Sequence, residues 1–133
     1  MTKILGIDYG LRKIGLAIGD IESRLAQPFS VVRVTSETDA ITKMASIIEH
    51  EDIEMLVLGV SEGETAEKTR AFGKKLSKET GIPVQYQDET LTTYEAQTLS
   101  MQTNMKRKKR KAMEDAYAAA LILQEYFDNS DSQ

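Results

Sequence analysis

The sequence predicts an α/β domain: one five-stranded mixed β-sheet, first three strands antiparallel, with helices on both faces. Three observations lead there. Three short strand-like runs follow one another at the start, without room for a helix between them. Helical and strand-like segments then alternate. The run Met55-Leu56-Val57-Leu58-Gly59-Val60 is apolar without alternation, as expected of a central strand covered on both sides.

In chain order, Ile4-Leu5-Gly6-Ile7-Asp8 closes on a carboxylate, and Gly10 lets the chain turn into Ile14-Gly15-Leu16-Ala17-Ile18-Gly19-Asp20. The two runs read as a hairpin. Residues 28–34, with Phe29, Val31, Val32 and Val34, suit a third strand. Ser36-Glu37-Thr38-Asp39 is a capping box for a helix whose apolar face includes Ala40, Ile41, Met44, Ile47 and Ile48. His50, at its exit, reads as a surface histidine. After the central strand, Ser61 with Glu64 is expected to cap a second helix, which Gly81 and Pro83 stop. Residues 83–88 form the last strand. Thr92 to Glu95 is a further capping box, opening a helix to about residue 104. A loop carrying Lys106-Arg107-Lys108-Lys109-Arg110-Lys111 precedes a final helix over 112–127, and residues 128–133 read as a frayed tail.

The 133 residues suffice for one domain, 1–133, with a single core. Without cysteine there is neither a disulfide framework nor a thiolate metal site. No apolar run approaches the roughly 18 residues of a membrane span, and Thr2-Lys3 leads straight into a strand, so a cytoplasmic protein with no membrane partner is expected. The net charge of −4 conceals an uneven distribution. Six of the 17 basic residues lie in the run 106–111, and without it 11 basic residues face 21 acidic ones. An acidic body with one basic patch points to a local polyanion contact.

Asp8 ends an apolar strand, where a lone carboxylate is costly unless it is paired or binds a cation. Glu89 follows the last strand. Asp115 falls in the first turn of the expected final helix, where Ala116, Ala118 and Ala119 let the helix approach the sheet closely. Glu89 alone reads equally as a residue before a cap, and Asp115 as a response to the helix dipole. Together the three form an all-oxygen donor set, which suits Mg²⁺ or Mn²⁺ rather than zinc. Cations and Lys/Arg together bind phosphodiesters.

The segments Gly6-Ile7-Asp8-Tyr9-Gly10 with Arg12-Lys13-Ile14-Gly15-Leu16-Ala17, Asp88-Glu89-Thr90-Leu91-Thr92-Thr93, and Lys108-Lys109-Arg110-Lys111 with the stretch from Asp115 to Gln124 resemble the YqgF/RuvX family of ribonuclease-H-like nucleases. The resemblance spans nearly the whole chain. It implies a ribonuclease-H-like fold and metal-assisted phosphodiester hydrolysis by two divalent ions about 4 Å apart. Asp8, Glu89 and Asp115 would be both catalytic and metal-binding. Arg12, Lys13, Lys106, Arg107, Lys108, Lys109, Arg110 and Lys111 would hold nucleic acid by its phosphates. The implied substrate is the small-subunit (16S) ribosomal RNA precursor at its 5′ end, or branched DNA as in Holliday-junction resolution. Two departures stand out: Gly59-Val60-Ser61-Glu62-Gly63-Glu64 replaces a Gly-Leu-Pro segment followed by an Asn and an Asp-Gly pair, and Thr90 stands where the family usually has arginine.

Three other readings compete. The Asp8-Tyr9-Gly10 hairpin also resembles the first phosphate loop of actin, chaperone and sugar-kinase ATPases, which need two such domains. A second alternative is a non-catalytic nucleic-acid-binding module, and a third is a homodimer matching the two strands of a branched substrate.

Overall fold

The computed structural model describes residues 2–60, 63–88 and 107–130. They form strands β1 (Lys3–Asp8), β2 (Lys13–Asp20), β3 (Leu25–Arg33), β4 (Met55–Val60) and β5 (Val84–Asp88), with helices α1 (Glu37–His50), α2 (Glu64–Thr80) and α3 (Arg107–Ser130). The sheet order is β3-β2-β1-β4-β5. β1 pairs antiparallel with β2, and β2 with β3, whereas β4 runs parallel to both β1 and β5. This is the mixed sheet expected from the order of the elements.

Alternation along β1 divides the core. Leu5 and Ile7 join Leu56, Leu58, Phe72 and Leu76 on the face covered by α1 and α2. Ile4, with Ala17 and Val57, packs instead on Ala119, Ile122, Leu123 and Phe127 of α3. β4 contributes to both faces, as its unbroken apolar run requires.

Ser36 caps α1 by accepting from the Asp39 N–H at 3.0 Å. The reciprocal arm closes one residue earlier than a standard capping box, because the Asp39 carboxylate accepts from the Thr35 N–H at 2.9 Å. Gly81 ends α2 in the left-handed region (φ 73°), its N–H reaching the Ser77 carbonyl at 2.8 Å.

Four boundaries differ from the sequence expectation by more than one residue. β3 starts at Leu25 rather than residue 28, because a turn closed by Arg24 N–H on the Asp20 carbonyl (2.8 Å) brings Leu25, Ala26 and Gln27 into register with β2. Pro28 therefore sits inside the strand, tolerated because β3 is an edge and its register shifts at that point. The residue before α2 is Gly63, with no side-chain cap, rather than a Ser61 cap. The basic run is helical from Arg107 onward rather than a loop, as Lys and Arg are good helix formers. Finally, residues 128–130 continue the helix: Gln124 Nε2 donates to Asp128 Oδ1 (3.3 Å) and Arg24 Nη1 to the Phe127 carbonyl (3.4 Å). The helix expected over 92–104 lies outside the described residues.

Candidate active site

Asp8 is the last residue of β1 and lies directly opposite Gly15 of β2. Residues opposite one another in an antiparallel pair share a face, and this face carries α3. A β-carbon on Gly15 would stand 1.9 Å from the Asp115 carbonyl oxygen and 2.8 Å from the Asp115 β-carbon. Helix α3 thus rests on β2 backbone to backbone at the one strand position that faces Asp8. Ala116 and Ala119, both fully buried, keep the approach close, and Gly6 of β1 receives Leu123 and the Ala119 carbonyl in the same way. Small residues on both surfaces bring the two aspartates to one edge of the sheet.

Because α3 begins at Arg107, Asp115 lies in its third turn and not its first. The helix dipole, which acts within the first turn, therefore does not account for an acid there. What Asp115 does meet is Lys13: Nζ lies 3.8 Å from Oδ2, with the side chains 49% and 36% exposed. Lys13 opens β2 and shares the face of Gly15, two residues on.

The turn joining β1 to β2 is tight. A β-carbon on Gly10 would stand 2.5 Å from the Lys13 carbonyl, and the Arg12 carbonyl accepts from the Val34 N–H at 2.9 Å. Arg12 and Lys13 are exposed on this bracket beside Asp8. On the opposite face Tyr9 stacks on Phe72 of α2, ring centroids 4.2 Å apart. Burial, with the nearby Glu37 carboxylate, raises the Tyr9 phenol above its ordinary value, so it stays protonated at neutral pH. Glu37 itself pairs with Lys75, tying α1 to α2.

The other expected site residues divide in two. Glu89 and Lys106 lie outside the described residues, as does Thr90; among the described residues no three acidic or histidine side chains group closely enough to hold a metal ion. Asp88 ends β5 opposite Val60, at the same sheet edge as Asp8. Arg107, Lys108, Lys109, Arg110 and Lys111 form the opening of α3, within two turns of Asp115, and that first turn contains no acidic residue. Cations there oppose the positive end of the helix dipole, an arrangement that a bound polyanion relieves. His50 lies at the far end of the sheet, largely exposed, with its ring 3.0 Å from Glu51 Oε2.

Sequence reasoning did not single out Gly15. Its signal is a glycine inside a strand, which marks close backbone approach, but what approaches it follows only from the register.

The strand order β3-β2-β1-β4-β5, with β1 to β3 antiparallel and helices on both faces, defines a ribonuclease-H-like fold. In fold the chain is similar to Thermus thermophilus RuvC in complex with Holliday junction substrate (TM-score 0.67, 14% identity, covering 100% of this chain and 98% of the other). It is also similar to the fowlpox virus resolvase solved with Holliday junction DNA (TM-score 0.64, 15% identity, covering 97% and 99%). Residues 2–129 match the family model RuvX, described as Holliday junction resolvase. Proteins named as candidate pre-16S rRNA nucleases from Dictyoglomus thermophilum (35% identity, covering 96% of each chain) and Endomicrobium trichonymphae (38%, also 96% of each) align along nearly their whole length. A relative from Lactococcus lactis bearing the same name is 37% identical, covering 96% of this chain and 94% of its own. The chain belongs to the RuvX family.

Proposed function

We propose that the protein is a metal-dependent endonuclease that hydrolyses phosphodiester bonds in the precursor of 16S ribosomal RNA, at its 5′ end, in the cytoplasm. The observation that carries this reading is the seating of Asp115 on Gly15, directly across from Asp8. No described helix is long and apolar enough to cross a membrane.

The donor set fits a hard divalent cation such as Mg²⁺ or Mn²⁺. β1, β5 and α3 carry Asp8, Asp88 and Asp115 to this edge, the chain has no cysteine, and its single histidine is at the opposite end of the sheet. Asp8 and Asp115 would hold the ions, and Glu89, one residue beyond the end of β5, would complete the set. Ions bound there supply Lewis-acid activation of a water and charge stabilisation on the leaving oxygen. The chain's own part is to fix the carboxylates on rigid elements and to hold the phosphate backbone with Arg12, Lys13 and the basic opening of α3. Tyr9, locked against Phe72, fixes the end of β1 from behind.

The test is cleavage of labelled precursor ribosomal RNA, generic single-stranded RNA and a four-way DNA junction, each with Mn²⁺, Mg²⁺ or EDTA. Metal-dependent cutting of the precursor that Asp8→Asn abolishes supports the reading. Preferential cutting of the junction moves the substrate to branched DNA, the reading favoured by the description of the RuvX family. Binding without cutting, lost when residues 106–111 are neutralised, makes the protein a binding module.

A further inference from the structure

We propose that Lys13 is a built-in counter-cation of the site: it occupies Asp115 when no divalent ion is bound, is displaced when one enters, and then turns to the substrate phosphate. The inference rests on the metal-binding reading of Asp8 and Asp115.

Asp115 is seated on the glycine that faces Asp8, so two acidic residues share this edge, and the Lys13 ammonium, 3.8 Å from Asp115 Oδ2, offsets part of their charge. The backbone of Lys13 is fixed by its pairing with Arg33 and by the tight contact of its carbonyl with Gly10. Only its side chain, half exposed, is free to swing. An exposed ion pair of this length is weak, and a lysine ammonium is a mobile, strongly hydrated charge. A divalent ion competing for the same oxygen therefore displaces it readily. The released ammonium remains on the edge that carries Asp8, beside Arg12, where a phosphate would have to lie for hydrolysis.

The test is calorimetric titration of the EDTA-stripped full chain with Mn²⁺ at low ionic strength, comparing wild type with Lys13→Met, Lys13→Arg and Asp115→Asn. Removing the competing cation should tighten Mn²⁺ binding about two- to fivefold in Lys13→Met, and Lys13→Arg should stay near wild type. At saturating Mn²⁺, Lys13→Met should raise KM for a single-stranded RNA several-fold while changing kcat less, and Lys13→Arg should restore KM. If Lys13→Met does not stay folded, Lys13→Gln takes its place. Unchanged or weaker Mn²⁺ binding in Lys13→Met, beside a clear loss in Asp115→Asn, overturns the counter-cation alone. An unchanged KM overturns the transfer to phosphate. Unchanged Mn²⁺ binding in Asp115→Asn overturns both the counter-cation and the metal-site reading.

Discussion

The carbonyl of Asp115 occupies the space that a side chain at position 15 would fill, so the site depends on an absent atom as much as on its acids. Gly15→Ala must push α3 away from β2, because the atom it meets is backbone and cannot rotate aside. Overpacking of this kind costs about 1–3 kcal/mol. Denaturant unfolding should show that loss, and nuclease activity should fall further than stability explains, since Asp115 moves with the helix. Asp8→Asn makes the complementary case. Its fold should survive, as judged by circular dichroism, while cleavage falls by more than the roughly 10- to 100-fold typical of losing an outer-shell partner of a metal ligand. The place of Asp8 at the end of a buried strand was legible in the sequence, because an apolar run closing on a carboxylate marks where the strand stops. Gly15 was not: its importance lies in which residue it faces and which helix lands on it, and both are long-range facts.

At the scale of elements, the opening of α1 is the best-defined local structure. Ser36 accepts from the Asp39 N–H, and the Asp39 carboxylate accepts from Thr35 and pairs with Lys43 at 3.2 Å. Ser36→Ala should cost about 1 kcal/mol in urea denaturation. The Thr35 backbone N–H, followed by Lys43, holds the Asp39 carboxyl below its ordinary value of 3.8. A depressed carboxylate contributes stability that is complete above its unfolded value and is lost as pH falls through its folded one. Melting curves from pH 7 down to 3 should accordingly show a shallower acid decline for Asp39→Asn than for wild type. This capped start was readable from Ser36 to Asp39, since capping is a local code. The start of α3 was not. Six consecutive cations look like a solvated loop by composition, and the helix that incorporates five of them is held by packing much further along, through Ala119, Ile122, Leu123 and Phe127 against the sheet.

At the scale of the whole molecule, the cations and the acids of the described residues are unevenly placed. Arg12, Lys13 and the residues that open α3 lie toward the edge that carries Asp8, while Asp20, Glu49, Glu51, Asp52 and Glu54 gather around Lys3 at the opposite end of β1. A polyanion should therefore approach from one side only, and its binding should weaken steeply with salt. Neutralising three of the cations in 107–111 should lower the slope of log affinity against log salt for single-stranded RNA by about 2, a shift readable by fluorescence anisotropy. The sheet itself was recoverable from the sequence, because a strand meander followed by alternating elements admits few arrangements. The first strand-to-strand turn and the central strand were clear for the same reason: glycine and unbroken apolar runs act locally.

The seating of Asp115 on β2 also bears on biosynthesis. Asp8 and Gly15 lie in the first hairpin, whereas Asp115 arrives on the last helix. The hairpin is synthesised well before the helix that lands on it, so the contact seating Asp115 closes a long loop, and its entropy is offset only once both partners are present. Local turns and the β1–β2 hairpin should therefore form first, and the acidic edge should be assembled last.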